Sequence, residues 1–276
     1  MPEIRFGYFC KMKTCFFSEG GYPVRYRDRG KGFPLLFLHG YLESLDIWTD
    51  FIRAFPEAFR VISMDLPGHG QSVCPGKTVT VEEMAGSAVG LLDYLEVEKC
   101  FVVGHSMGGY AALAMLENHP GRLLGLSLFH SHPRADTPAV IEKRTREIGI
   151  VDQGRSYLLI RQNIPNMFAE DNLRLFRREL LYTERIARQT PDAGITAAVR
   201  GLMARPDRSR VLAEASFPCL QIIGKKDKYI PFEEVSMNTE LPAGSERLIL
   251  EHTGHMGFFE EKARAFRGIL DFLRKI

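Results

Sequence analysis

Residues 104–108 have the types and spacing that place a serine nucleophile at a sharp turn. The segment Gly104-His105-Ser106-Met107-Gly108 follows the pattern Gly-x-Ser-x-Gly, between an apolar, β-prone run that ends at Val103 and a helix-forming run from Tyr110. A strand that turns directly into a helix strains the turn residue, and its neighbours two positions away collide unless they are almost without side chain. The turn exposes the hydroxyl of Ser106, and the amide of Met107 at the helix N-terminus can stabilise a developing oxyanion. The alternative is an ordinary strand–helix turn in which Ser106 caps the helix.

Two later segments carry the other groups that such chemistry needs. A serine hydroxyl is a weak nucleophile at neutral pH, so it needs a general base, and the base needs an orienting carboxylate. Asp227 follows the apolar run 218–223, and His255 follows the predicted strand 247–251. Groups that act together in a parallel sheet emerge from the carboxyl ends of different strands, so Ser106, Asp227 and His255 are the candidates for a catalytic triad. The alternative for Asp227 is a solvated acid among neighbouring lysines.

A glycine after another apolar run marks a second place where backbone can approach a ligand. The run 34–38 is apolar at every position, as in a strand that is buried on both faces, and it ends in His39-Gly40-Tyr41. The amide of Tyr41 is therefore a candidate second oxyanion donor beside that of Met107.

Four conspicuous residues are expected to have structural positions instead. We expect His39 to hydrogen-bond to backbone and Trp48 to lie in the core. In the glycine-containing loop 65–72, we expect Asp65 to bind amides of its own loop and His69 to be solvated.

Apolar runs alternate with helical patterns over most of the chain. Thr80, with Glu83 three residues later, forms a capping box that predicts the start of a helix over 84–95. The alternation predicts an α/β fold, a doubly wound and mostly parallel sheet with helices on both faces and right-handed crossovers. We expect strands at 14–17, 24–28, 34–38, 60–64, up to 103, 123–129, 218–223 and 247–251, and further helices at 45–55, 110–119 and 261–273.

The alternation stops after residue 132. Residues 139–210 show helical patterning without a convincing strand, at 141–150, 157–160, 172–186 and 197–203, which predicts a helical lid over the carboxyl ends of the strands. The expected organisation is a core at 14–132 and 213–276 with the lid at 133–212. Met167 and Phe168, just after Pro165, are expected to point inward and line the substrate pocket, and the helix 172–186 is the alternative pocket wall.

Composition places the chain among ordinary globular proteins. Its 276 residues are 45% hydrophobic and 25% charged, and the net charge of +2 gives no reason to expect nucleic acid or an anionic membrane as partner. Its five cysteines have no metal-ligand spacing, so reduced thiols, a cytoplasmic location and no metal are expected. No membrane span or secretion signal is predicted, Met1 or Met12 is the start, and the protein is expected to be a monomer or dimer that acts on a small molecule.

Taken together, these segments resemble the α/β-hydrolase superfamily, in its esterase, lactonase and cofactor-free haloperoxidase-like branch. The resemblance implies that Ser106 is the nucleophile, His255 the base and acid, Asp227 the orienting acid, and the amides of Tyr41 and Met107 the oxyanion hole. It also implies that no cofactor is needed and that His252, which lacks a preceding glycine, is not the base. The matching segments run from about Val24 to the C-terminus and include His39-Gly40-Tyr41, 65–72, 104–109, 224–231 and Gly254-His255.

The resemblance implies a serine hydrolase that cleaves a carboxylic ester, lactone or thioester of a small, largely apolar acid through an acyl-serine intermediate. Two alternatives stay open. The same triad suits cleavage of a C–C bond in a β-diketone-like substrate or a lyase step such as menaquinone-pathway relatives perform. A protein of another class, a ligand-sensing receptor with slow turnover like the hydrolase-fold hormone receptors, also keeps such a triad. Serine at position 106 disfavours epoxide opening and halide displacement, because the ester intermediate of those reactions forms on a carboxylate.

Overall fold

An eight-stranded sheet forms the centre of the structure, a computed structural model that describes residues 13–276. The strand order is β1-β2-β4-β3-β5-β6-β7-β8. The strands β1 and β2 pair antiparallel with each other and β2 with β4, and all other neighbours pair parallel, which confirms the predicted mostly parallel sheet. The strands are β1 Thr14–Glu19, β2 Tyr22–Arg29, β3 Phe33–Leu38, β4 Phe59–Met64, β5 Cys100–His105, β6 Leu123–Phe129, β7 Cys219–Gly224 and β8 Glu246–Leu250.

Helices cover both faces of the sheet and supply a separate block between β6 and β7. The predicted capping box at Thr80 and Glu83 is confirmed. The Thr80 hydroxyl accepts from the Glu83 amide, and the Glu83 carboxylate accepts from the Thr80 amide. The helices are α1 Thr49–Ile52, α2 Val81–Tyr94, α3 Met107–Asn118, α4 Pro138–Asp152, α5 Ser156–Asn166, α6 Arg177–Ala187, α7 Asp192–Ala204, α8 Ser209–Ala213, α9 Phe232–Asn238, α10 Gly257–Glu260 and α11 Lys262–Leu273.

Alternate residues of β3 face two different parts of the core. Leu36 and Leu38 pack with the cluster formed by α2 and α3, whereas Leu35 and Phe37 pack with the cluster that contains α1 and α11. This alternation is the two-residue period of a strand that is buried on both faces. Trp48 is fully buried, with its ring centroid 5.2 Å from that of Phe37, which confirms its predicted core position.

The segment between β6 and β7 contains helices α4 to α8, joined by turns and loops, and no strand in this part of the described chain. We call these helices, residues 138–213, the helical insertion. The predicted helix over 172–186 begins later, at Arg177, because residues Glu170–Asn172 form a 3₁₀ turn first. Helix α4 extends beyond the predicted 141–150 because Thr137 caps it by accepting from the Val140 amide and Pro138 occupies its first turn.

Helix α7 lies in direct backbone contact with the core at two of its glycines. A Cβ built at Gly194 would overlap the carbonyl oxygen of Gly68, and one built at Gly201 would overlap that of Val79. The amide of Val79 also donates to the carbonyl of Ala197, at 3.1 Å. Glycine at these two positions therefore allows backbone-to-backbone contact between α7 and the core.

Cys10 and the alternative start at Met12 lie outside the described residues. Among residues 13–276, no helix is both long and apolar enough to cross a membrane.

Candidate active site

Ser106 occupies a strained turn between β5 and α3. Its φ is 48° and its ψ is −112°, a combination that residues with a side chain rarely adopt. Its amide donates to the carbonyl of Phe129 at 3.0 Å, and its own carbonyl accepts from the Ser131 hydroxyl at 2.8 Å. A Cβ at Gly104 would lie 2.5 Å from the carbonyl oxygen of Gly108, so the two motif glycines are needed for this close turn.

A cavity of about 230 Å³ opens above this turn. Ser106, His255, Tyr41 and Met107 all line it, so the structure brings together these predicted site residues from three different loops. Each loop follows the carboxyl end of a strand, namely β3, β5 and β8. This arrangement is the one expected for functional groups of a parallel sheet.

The two predicted oxyanion donors lie where β3 meets the start of α3. Met107 is the first residue of α3, where backbone amides point out of the helix. A Cβ at Gly108 would overlap the carbonyl oxygen of Leu38, so α3 begins in direct contact with the end of β3. Within residues 13–276, neither the Tyr41 amide nor the Met107 amide donates a hydrogen bond to a backbone or side-chain acceptor. Both therefore remain available to a ligand in the cavity.

Asp227 and His255 form a hydrogen-bonded pair at the ends of β7 and β8. Nδ1 of His255 lies 2.7 Å from Oδ2 of Asp227, and both side chains are buried. Because an ionised carboxylate only accepts, Nδ1 carries the proton and Nε2 is left to accept one. Oδ1 of Asp227 accepts from the amides of Tyr229 and Ile230, at 2.8 and 3.0 Å, which fixes the carboxylate.

Each member of this pair stabilises the charged form of the other. Burial alone raises the pKa of Asp227, but His255 and the hydrogen bonds from His130 and His255 outweigh burial, and the pKa of Asp227 lies well below its usual value. Burial alone lowers the pKa of His255, and the carboxylate of Asp227, followed by Glu43 and Glu260, raises it above its usual value. Asp227 is therefore a carboxylate that stabilises the imidazolium form of His255.

His130, which sequence reasoning missed, is a second histidine against Asp227. Its Nδ1 lies 3.5 Å from Oδ2 of Asp227 and 3.1 Å from the amide nitrogen of Gly224, and its Nε2 accepts from the amide of Gly257 at 3.2 Å. Burial lowers the pKa of His130 to about 4. The ligand atoms of His130, Asp227 and His255 lie within 4.8 Å of one another, but these hydrogen bonds already occupy them. The available signal was the position of His130 directly after an apolar strand.

Glu43 and His105 form another buried pair that sequence reasoning missed. Oε2 of Glu43 accepts from the Gly40 amide at 2.6 Å and lies 3.0 Å from Nδ1 of His105. Nε2 of His105 lies 2.9 Å from the carbonyl oxygen of His255. The pair thus connects the loop of Tyr41 with the loop of His255.

The structure separates the two late histidines. His252 is exposed and does not line the cavity, and its amide donates to the Glu261 carboxylate at 2.9 Å. His255 is buried against Asp227. Of the two, only His255 lines the cavity together with Ser106.

The two predicted pocket residues face different directions. Met167 lines the cavity, but Phe168 does not, and the expectation for Phe168 is wrong. The Phe168 ring is fully buried and lies parallel to that of Phe259, with centroids 6.4 Å apart. The physical reason is a tertiary contact: the Glu260 carboxylate accepts from the Ala169 amide at 2.8 Å and holds this segment against α10.

The loop 65–72 is more buried than its composition suggests. Asp65 accepts from the amides of Gln71 and Leu45, at 2.8 and 2.7 Å, so the predicted binding of its own loop is confirmed and extended. Nε2 of His39 accepts from the Leu66 amide at 2.9 Å, which confirms its structural position. The prediction that His69 is solvated is wrong, because its ring packs 5.2 Å from that of His39 and burial lowers its pKa to about 4.

Comparison with known proteins gives the same fold. A relative from Pseudomonas putida, named a dihydrolipoyllysine-residue acetyltransferase component of an acetoin cleaving system, is 30% identical over 93% of this chain and 68% of its own length. A 2-hydroxy-6-oxononadienedioate/2-hydroxy-6-oxononatrienedioate hydrolase from Paraburkholderia phymatum is 30% identical over 92% of this chain and 93% of its own. The solved structure of a thermophilic esterase from Thermogutta terrifontis is 30% identical, with a TM-score of 0.88 over 95% of this chain and 98% of that one.

The family model for the alpha/beta hydrolase fold matches residues 34–262, which include every predicted site residue. With the sheet order, the strained serine turn and the positions of Asp227 and His255, this match leads to one conclusion. The chain belongs to the α/β-hydrolase family.

Proposed function

We propose that this hydrolase cleaves a carboxylic ester, lactone or thioester with Ser106 as the nucleophile. The observation that carries the proposal is that a strained Ser106 and a His255 held by Asp227 line one cavity, which Tyr41 and Met107 also line. A serine and an oriented imidazole that share a cavity can together activate the hydroxyl for attack on a carbonyl.

The reaction then follows from the roles of these groups. Nε2 of His255 takes the proton as Oγ of Ser106 attacks the carbonyl carbon, and Asp227 stabilises the imidazolium that forms. The amides of Tyr41 and Met107 donate to the oxyanion. The intermediate collapses when His255 returns the proton to the leaving group. Water, deprotonated by His255, then attacks the acyl-serine, and His255 returns that proton to Oγ of Ser106 as the acid is released.

The cavity walls support a small, largely apolar acid as the acyl group. The apolar residues that line it are Leu42, Met107, Val140, Met167, Leu202 and Ile230. Four of its other lining residues are charged, at Lys143, Arg144, Glu147 and Lys228, so the cavity also offers polar contacts to the rest of the substrate. A volume of about 230 Å³ suits a short acyl chain rather than a long one.

The helical insertion acts as a lid in this proposal. It contributes the cavity wall from α4, α5 and α7, through Val140, Asn163 and Leu202. The Tyr229 hydroxyl, on the core, donates to Oδ1 of Asn163 at 2.8 Å and so connects the lid to the loop of Asp227. The lid boundaries we propose remain 133–212.

The second candidate reaction is hydrolysis of a C–C bond by the same residues. The 30% identical relative from Paraburkholderia phymatum favours it, because its name describes a hydrolase of an oxo-dienoate substrate. A substrate panel that pairs p-nitrophenyl esters with β-diketones and vinylogous diketo acids distinguishes the two reactions.

Covalent labelling tests the nucleophile directly. A fluorophosphonate should add one phosphonyl group to the protein, and peptide mass spectrometry should place it on Ser106. Ser106→Ala should take up no label, while His252→Ala, changed at an exposed residue, should label at the normal rate. Label on another residue, or undiminished labelling of Ser106→Ala, would exclude Ser106 as the nucleophile.

We also propose a cytoplasmic location. The cysteines at 15, 74, 100 and 219 are all free thiols, which is the state expected in a reducing compartment.

A further inference from the structure

A buried carboxylate–imidazole contact lies beneath the candidate site and is not explained by the proposed reaction. Glu43 and His105 are both fully buried, and Nδ1 of His105 lies 3.0 Å from Oε2 of Glu43. Neither side chain is needed as nucleophile, base or oxyanion donor. A buried carboxylate and a buried imidazole are costly unless the donors and acceptors match, so their protonation can be worked out from their partners.

One proton of His105 is fixed by its partner. Nε2 of His105 lies 2.9 Å from the carbonyl oxygen of His255, and a carbonyl oxygen can only accept. Nε2 therefore carries a hydrogen.

A second proton is fixed by the contact on the other side of the ring. Nδ1 faces Oε2 of Glu43, which already accepts from the Gly40 amide at 2.6 Å. If neither Nδ1 nor Oε2 carried a proton, two lone pairs would face each other at hydrogen-bond distance in a site without water access. One proton must therefore lie in this contact, on the imidazole or on the carboxyl group.

The remaining oxygen of Glu43 indicates where that proton is. Oε1 is buried and has no hydrogen-bond partner among residues 13–276. A proton on Oε1 would be a buried donor without an acceptor, which is unfavourable. The proton is better accommodated between Nδ1 and Oε2, where one atom donates it and the other accepts it.

We infer that Glu43 and His105 share one proton as a net-neutral buried pair that fixes the Tyr41 loop and the His255 loop relative to each other. Through Oε2 the pair holds the Gly40 amide, one residue before Tyr41, and through Nε2 it holds the backbone carbonyl of His255. Both residues are positioning residues, and this role in catalysis rests on the proposed function. The inference of a shared proton is independent of the proposed function.

Glutamine cannot replace Glu43 in this arrangement. If the amide oxygen takes the place of Oε2, it accepts from Gly40, but His105 must then be a buried cation without a counter-charge. If the amide nitrogen takes that place, it donates to Nδ1 but faces the Gly40 amide, which also donates. Glu43→Gln therefore loses one of the two contacts while the side-chain volume is kept.

Nitrogen-15 NMR of the histidine rings tests the shared proton without any substrate. The wild-type protein should show two protonated ring nitrogens for His105, with a strongly downfield Nδ1 proton that persists at pH 8, and the signal should be assigned by its loss in His105→Asn. In Glu43→Gln, the Nδ1 proton should be absent and the Nε2 proton retained. A wild-type His105 with one ring proton and no downfield signal would overturn the inference.

Steady-state kinetics on the same variants test positioning. Glu43→Gln should lower kcat on the order of 10- to 100-fold, with little change in KM, because a small displacement of reacting groups affects the chemical step most. His105→Asn should have a similar effect, and the double variant should lose much less than the product of the two losses. A matched control is Asp28→Asn, which removes the 2.8 Å ion pair with Arg60 away from the cavity and should leave kcat unchanged.

Two outcomes separate this inference from the proposed function. If Glu43→Gln folds and keeps its wild-type kcat, the pair has no positioning role and this part of the inference is wrong. If instead the fluorophosphonate does not label Ser106 but the downfield His105 proton is present and depends on Glu43, the proposed function fails and the shared proton stands.

Discussion

The backbone amide of His255 donates a 2.6 Å hydrogen bond to the carbonyl oxygen of Met167. The helical insertion is thereby bonded to the residue that we propose as the general base. The Glu260 carboxylate strengthens this junction, since it accepts from the amides of Ala169 and Gly254 at 2.8 and 2.9 Å. The cavity wall at Met167 and the position of His255 are therefore set by the same contacts.

Ser106→Ala should abolish most turnover. Without the nucleophile, residual catalysis comes only from binding and the oxyanion donors, so kcat for a p-nitrophenyl ester should fall on the order of 10⁴-fold or more. Circular dichroism should show an unchanged fold. Turnover by the alanine variant at the wild-type rate would remove Ser106 from the mechanism.

The histidines at 252 and 255 should differ sharply in effect. His255→Ala should reduce kcat nearly as much as loss of the serine, because His130, the other histidine against Asp227, does not line the cavity and its Nε2 already accepts from the Gly257 amide. His252→Ala should change kcat less than about twofold, since the His252 side chain is exposed and outside the cavity. The reverse result would mean that the last loop is misassigned.

Asp227→Asn should change both the rate and its pH dependence. The neutral form of His255 is the active base, so kcat/KM should rise with pH through a midpoint above about 6.5, the usual pKa of histidine, because Asp227 raises the pKa of His255. Asparagine removes the negative charge, which lowers that pKa and moves the acidic limb of the residual activity to lower pH. The rate itself should fall on the order of 10⁴-fold. An acidic limb at the wild-type pH would mean that another group titrates.

Substitution of Met167 should change substrate specificity, whereas substitution of Phe168 should change stability. Met167→Ala enlarges the cavity and should shift the preference among p-nitrophenyl esters from acetate to octanoate toward longer chains, since a pocket discriminates about 1–3 kcal/mol per methylene. Phe168→Ala should leave that profile unchanged and lower the free energy of unfolding by about 3–5 kcal/mol, because the ring is fully buried. A shift in chain-length preference for Phe168→Ala alone would contradict this assignment.

Acid should destabilise the fold through buried neutral histidines. Burial lowers the pKa of His69 and His130 to about 4, from 6.5 in the unfolded chain. Each contributes stability that is fully present above pH 6.5 and is lost as pH falls through 4, roughly 3 kcal/mol per histidine. Asp65, whose pKa burial raises to about 6, acts in the opposite direction.

Urea unfolding at pH 8 and pH 4.5 measures this effect. His69→Gln should lose less free energy of unfolding between the two pH values than the wild-type protein, whatever its stability at pH 8. An equal loss in both proteins would show that His69 is not the group that takes up the proton.

The sheet and the three predicted triad residues could be derived from sequence because each depends on local pattern. Ser106 is marked by glycines two positions away, and Asp227 and His255 each follow a short apolar strand. The parallel sheet then brings these strand ends together without further information.

Other features depend on contacts between distant segments and carry no local pattern. Glu43 meets His105 across 62 positions of the chain, and His130 lies beside Asp227 only because β6 pairs with β7. The burial of His69 and the packing of Phe168 against Phe259, away from the cavity, are likewise set by rings and carboxylates from other loops. Composition alone predicts solvent for a histidine in a glycine-containing loop, and tertiary packing decides otherwise.

The glycines of α7 restrict which helices of the insertion can change position relative to the core. Any side chain at position 194 or 201 would push α7 away from the carbonyls of Gly68 and Val79. Helix α4 carries no such constraint at its one glycine, because a Cβ built at Gly149 meets nothing within 4 Å. We therefore expect directed mutagenesis to reshape the substrate entrance most readily through α4, while α7 keeps its position against the loops of Gly68 and Val79.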